Sequence, residues 1–152
     1  MTRPSRCSLF RFIGAAGLAL CLAAPALASA AEPVGQDKVV YHFNAGLEQA
    51  SAGLEYIRNH LDVDPKASIV AVTHAAGVDF LLKGAKTARG NEYRQMVEDL
   101  ELQGVQFRVC EITLRARNLR RDQFLPEVRF VPSGVAEIAR LQQREGFSYL
   151  RP

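Results

Sequence analysis

Two short, unbroken apolar runs constrain this chain more than anything else in it: Lys38-Val-Val-Tyr-His-Phe43 and Ala67-Ser-Ile-Val-Ala-Val-Thr73. A strand with one wet face alternates apolar and polar residues, whereas a strand covered on both faces reads apolar throughout. Between the two runs, Leu47, Ala50, Leu54, Ile57 and Leu61 recur at three- and four-residue steps, which makes one apolar face of a helix. Asp62-Val-Asp-Pro65 ends that helix, because a proline drives the residue before it out of helical backbone. The rhythm then repeats. Val78 to Leu82 reads as one or two helical turns and Lys83 to Gly90 as a mobile surface connection. Tyr93, Met96, Val97 and Leu100 predict a second helix, closed by Gly104. Val105, Phe107 and Val109 alternate with Gln106 and Arg108 as a strand that ends at Cys110. Ile112 and Leu114 begin a short helix, Phe124-Leu-Pro126 is a packed loop, and Val128 to Val131 is a fourth strand. Ser133 caps a helix carrying Val135, Ile138, Ala139 and Leu141, Gly146 stops it, and Phe147 to Leu150 forms a short last strand. Buried strands alternating with amphipathic helices predict an α/β domain, a parallel sheet with helices on both faces.

The residues before Lys38 follow another pattern. Arg3, Arg6 and Arg11 precede a nearly uncharged apolar stretch from Phe12 to Ala28, and Ala28-Ser29-Ala30 supplies a small-x-small cleavage site. This predicts a secretory signal peptide over 1–30, a short tether over 31–37 and one domain over 38–152. The expected destination is the periplasm, by the general export route, with no stable membrane insertion after cleavage. The chain has 19 Lys+Arg and 16 Asp+Glu. Three of the arginines fall in the expected signal, so the remaining domain is formally neutral. A neutral domain gives no reason to expect nucleic acid as a partner.

Cysteine usage is the sharper clue. Cys7 and Cys21 leave with the expected signal and Cys110 alone remains. A lone cysteine in an exported protein cannot close an internal disulfide, which points to a free reactive thiol or an intermolecular bond. Cys110 falls where a strand gives way to a helix, beside unpaired backbone N–H groups whose partial positive charge favours thiolate. Arg108 and Arg115 flank it in sequence and are expected to favour the anion, while Glu111 opposes ionisation. The alternative is that Cys110 simply packs, since free cysteine is among the most buried side chains.

In an open parallel sheet, ligands bind beyond the carboxyl ends of the strands. His42, Asn44 and His74 fall at the ends of the first two strands, on the edge expected to carry Cys110. His74 is the candidate to tune the thiol, and His42, Asn44, Arg108 and Arg115 are candidate binding residues. The competing readings are a packed His42, a surface His74 and a solvated basic turn. No metal-ligand spacing is present, and neither a metal nor another cofactor is expected. Asp62-Val-Asp64 reads as solvated acids at a helix end.

Several stretches resemble the DsrE/DsrF-like family: Gly104-Val-Gln-Phe-Arg-Val-Cys110, Thr113-Leu-x-Ala-Arg117, Val131-Pro-Ser-Gly-Val-Ala-Glu-Ile-Ala-Arg-Leu141, the opening Lys38-Val-Val-Tyr-His strand and Val72-Thr-His-Ala-Ala-Gly77. The likeness runs over roughly Lys38 to Pro152 and is greatest to the exported branch. It implies a three-layer α/β/α sandwich with a mostly parallel five-stranded sheet, assembled as a homotrimer or homohexamer. It also implies sulfur relay, with a persulfide on a cysteine at the end of a central strand, the position of Cys110. The implied partner is a small sulfur-containing anion or a persulfide donor protein. Glu111 departs from the family pattern, where a small residue is common after the cysteine. A non-enzymatic oligomeric binding module, with Cys110 only packing, is the other reading.

Overall fold

The computed structural model describes residues 36–152; the expected signal peptide, with Cys7 and Cys21, and most of the expected tether lie outside the described residues. Five strands form one sheet: β1 (Lys38–Phe43), β2 (Ser68–Thr73), β3 (Gln106–Cys110), β4 (Val128–Val131) and β5 (Ser148–Leu150). Their order is β4-β3-β2-β1-β5, and every pairing is parallel. The helices are α1 (Leu47–Val63), α2 (Tyr93–Leu102), α3 (Glu111–Arg117) and α4 (Gly134–Glu145). A 3₁₀ segment, Ala75–Leu81, follows β2. The strand ends are level: Phe43 lies opposite Thr73, Thr73 opposite Val109, and Cys110 opposite Val131. The carboxyl ends of the four longer strands therefore make one rim.

The two faces of the sheet are covered unequally. Val39, Tyr41, Phe43, Ile69, Ala71, Phe107 and Val109 join Leu54, Ile57 and Leu61 of α1 and Tyr93, Val97 and Leu100 of α2 in the larger core. Each such side chain contributes on the order of 1.5–3 kcal/mol by leaving water. Val40, Val70 and Val72 point the other way, onto Ile138 and Leu141 of α4 and onto Phe147. Because side chains alternate along a strand, His42 and Arg108 share that second face and one register row with Val72.

The buried face of α4 keeps Ile138 and Leu141 of the apolar spacing but not Val135 and Ala139. Val135 is 63% exposed and Ala139 is also exposed, while Gly134, Glu137, Ile138 and Leu141 are buried. An ion pair lies on the buried face beside Ile138 and Leu141. Arg108 on β3 reaches Glu137, which also accepts two bonds from Arg140. The connection between the 3₁₀ segment and α2 carries its own backbone pairing, with Lys86 bridged to Glu92 and the Thr87 N–H donating to the Asn91 carbonyl. A loop over residues 83–90 held at both ends in this way is more defined than a polar, glycine-containing sequence suggests. Among the described residues, no helix is long and apolar enough to cross a membrane.

Candidate functional site

The site lies on the carboxyl rim, where two helices begin within reach of one sulfur. Cys110 closes β3 and stands at the N-cap position of α3. It is buried, 4% exposed, and is the one free cysteine among the described residues. No side-chain capping bond is formed there. Burial alone would push the thiol pKa up. It is nevertheless lowered, because backbone N–H groups of Gly134, Thr113 and Ile112 and the Thr113 hydroxyl favour the anion. The Thr113 oxygen in turn accepts the Ala75 N–H at 2.9 Å. There is little room for a side chain at position 134. A β-carbon there would stand 3.2 Å from Cys110 Cβ, 3.3 Å from His74 Cβ and 3.3 Å from the Thr73 carbonyl oxygen. The start of α4 thus presses against both Cys110 and His74.

His74 follows β2, and a tight crossing holds it in place. A β-carbon on Gly77 would fall 2.3 Å from the Phe43 carbonyl carbon and oxygen, so only glycine lets the loop lie against the end of β1. The His74 N–H donates to the Phe43 carbonyl at 3.0 Å. Ala75 takes a left-handed conformation with φ +50°, which is costly for a residue with a β-carbon. Its N–H is held by Thr113 and its carbonyl by Arg117. These contacts aim His74 at His42, with the two Nε2 atoms 2.7 Å apart, the ring centroids 4.8 Å apart and the ring planes at 27°. On the other side of His42, Nδ1 is 2.7 Å from the Tyr149 hydroxyl. Burial foremost, then His74 and Arg151, lower the His42 pKa to about 4; burial also lowers that of His74. Both rings are therefore neutral near pH 7.

The other sequence candidates sit elsewhere. Asn44 is half-buried, and its side-chain oxygen accepts from Arg151 at 3.1 Å. Arg108 is engaged by Glu137 and Gln106, on the same sheet face but turned to α4. Arg115 is exposed and lines a separate depression with Arg120 and Arg121. Neither arginine is among the groups that lower the Cys110 pKa. Glu111 is paired with Arg121, which offsets its charge, and it too is absent from the groups acting on the thiol. Peptide dipoles, not guanidinium groups, favour the thiolate.

Sequence reading did not single out Gly134, Thr113, Ala75 or Tyr149. The Ser133-Gly134 helix start was visible, but nothing in its spacing says that it meets Cys110. On the opposite rim, Asp37, His60 and Asp64 offer ligand atoms within 4.8 Å of one another. They come from the start of β1 and the end of α1, a meeting that the Asp62-Val-Asp64 spacing does not reveal. Exposed acids of this kind are ordinary without an ion, and no role is assigned to them.

Comparison with known proteins fits this architecture. No curated protein matches the chain. Among solved structures, MTH1491 from Methanobacterium thermoautotrophicum, described as a protein of unknown function, is 33% identical, with a TM-score of 0.66. The alignment covers 77% of this chain and 100% of that one. The ychN protein from E. coli is 18% identical with a TM-score of 0.65 over the same shares, a likeness that bears on fold alone. The model of the DsrE/DsrF-like family matches residues 14–152, which takes in every strand and helix described above. This chain belongs to the DsrE/DsrF-like family.

Proposed function

We propose that this protein is a periplasmic sulfur carrier in which Cys110 accepts and passes on sulfane sulfur as a persulfide. The observation that carries the reading is the environment of Cys110, with N–H groups from the starts of α3 and α4 converging on one sulfur. The donor is a persulfide, R–S–SH, on a partner protein or a small sulfur compound. The Cys110 thiolate attacks the outer sulfur, the donor S–S bond breaks, and R–S⁻ leaves. The products are Cys110–S–SH and the donor thiolate, so atoms and electrons balance with no added oxidant. Passing the sulfur to an acceptor thiolate is the same exchange in reverse. The β-carbons of His74 and Cys110 both pack against Gly134, and the His74 ring is a neutral polar group directed at His42. Family membership supports this chemistry, and the signal-like start of the sequence supports export.

The 4% exposure of Cys110 favours a second reading, a binding module in which the thiol only packs. One experiment separates the two. The purified protein is incubated with polysulfide or a low-molecular-weight persulfide, and its intact mass is recorded. The expected result is gain of one sulfur atom, reversed by reductant and absent in Cys110→Ser. If the folded thiol reacts with iodoacetamide yet takes no sulfur, the carrier reading is wrong. A thiol that reacts only after unfolding supports the binding module.

A further inference from the structure

We propose that Tyr149 is a positioning residue which, acting through His42, fixes the tautomer of His74 and so leaves a hydrogen-bond donor at its Nδ1. The observation is a continuous chain from a half-exposed phenol to the site: Tyr149 hydroxyl to His42 Nδ1 at 2.7 Å, then His42 Nε2 to His74 Nε2 at 2.7 Å. Two imidazole nitrogens this close cannot both present lone pairs, so one proton lies between them. Only two neutral arrangements satisfy the chain. In one, Tyr149 donates to His42 Nδ1, His42 Nε2–H donates to His74 Nε2, and His74 carries its proton on Nδ1. In the other every bond is reversed, and His74 Nδ1 is a bare lone pair.

The phenol decides between them. A tyrosine hydroxyl, with a pKa near 10, is a much better donor than a neutral imidazole N–H and a poorer acceptor than an imidazole nitrogen. The first arrangement is therefore favoured at the Tyr149–His42 link, and the His42–His74 bond, an imidazole N–H to an imidazole nitrogen in either direction, follows it. His74 is left with Nε2 as acceptor and Nδ1–H free. Nδ1 is the ring nitrogen nearer the His74 β-carbon, and that carbon packs against Gly134 alongside Cys110. His74 is not among the groups acting on the Cys110 thiol itself; a neutral N–H donor at Nδ1 suits the anionic sulfur of an incoming donor without adding a full charge, which burial would penalise. Its use for sulfur transfer rests on the function proposed above; the tautomer itself does not.

The test is side-chain ¹⁵N NMR of labelled protein at pH 7.5, where the three histidines of the chain make assignment tractable. The wild type should show His42 as the Nε2–H form and His74 as the Nδ1–H form. Tyr149→Phe should shift His74 toward Nε2–H, the form that free histidine prefers. His42→Phe, which keeps a ring but removes both nitrogens, should do the same. The backbone amide spectrum of each variant reports whether it is folded. Sulfur uptake from a persulfide should slow by about tenfold in Tyr149→Phe, the scale of one lost hydrogen bond, while iodoacetamide alkylation changes little. If the His74 tautomer is the same in wild type and both variants, the proposal is overturned. If the tautomer responds but the wild type takes up no sulfur, the positioning role stands and the carrier reading falls.

Discussion

Gly134 makes two contributions that no other residue could combine. Its N–H favours the Cys110 thiolate, and its missing side chain leaves room for Cys110 and His74 to sit together. Adding a methyl group puts a carbon 3.2–3.3 Å from two β-carbons and a carbonyl oxygen, all tied to backbone that cannot swing away. The start of α4 must then retreat by a few tenths of an ångström, taking the N–H with it. Gly134→Ala is expected to cost about 1–3 kcal/mol of stability through overpacking. It should also raise the midpoint of the pH profile for Cys110 alkylation, because burial would act against fewer donors. Stopped-flow alkylation across pH checks this, and an unchanged midpoint would show that the Gly134 N–H does not contribute. Replacing Arg115 should leave the midpoint where it is, since that side chain lies in a separate depression.

At the scale of elements, the contact between α4 and the sheet depends on Glu137 as much as on Ile138 and Leu141. The Glu137 carboxyl is 11% exposed and joins Arg108 of β3 to Arg140 of its own helix. The hydrogen bond from Arg140 is the largest cause that lowers its pKa, with Arg108 adding and burial opposing. A carboxyl depressed on folding contributes stability that is present above its unfolded value, about 4.5, and lost as pH falls through the folded value. His42 acts over a higher window. It stays neutral in the folded chain down to about 4, while the unfolded chain takes up a proton near 6.5. Stability should therefore fall between those values as pH drops. Urea midpoints measured from pH 8 to 3 should decline in two stages. His42→Phe should shrink the upper stage to the part that burial of His74 contributes, and Glu137→Gln should shrink the lower. Glu137→Gln should also cost roughly 2–4 kcal/mol at pH 7, because it leaves the largely covered Arg108 without its counter-charge. A pH profile unchanged in both variants would refute this account.

Considered whole, the molecule is asymmetric across its sheet. One face carries α1, α2 and the 3₁₀ segment, while the main cover of the other is the single helix α4. Val135 of that helix is 63% exposed, Tyr149 on the same sheet face is 41% exposed, and edge strand β5 is exposed along its whole length. An exposed sheet edge is a feature that assembly covers. We expect a homotrimer or homohexamer, the assembly that the family resemblance implies. Multi-angle light scattering at micromolar concentration checks this, and a clean monomer would count against it.

The sequence by itself determined the order and type of nearly every element. Unbroken apolar runs at β1 and β2 can be satisfied only between two layers, and Gly104 and Gly146, both with positive φ, end their helices where glycine punctuation says they should. It also placed His42, His74 and Cys110 on one rim, since strand ends in a parallel sheet are level. Partner choice was decided only by the tertiary structure. Arg108 and Cys110 are two residues apart, yet the guanidinium engages Glu137, 29 residues further on, and the thiol is served by Gly134. Tyr149 meets His42 across 107 residues. Local spacing encodes which face a side chain takes, because that follows from backbone periodicity. Which group it meets on that face depends on how separate elements pack, and no periodicity within one element carries that information.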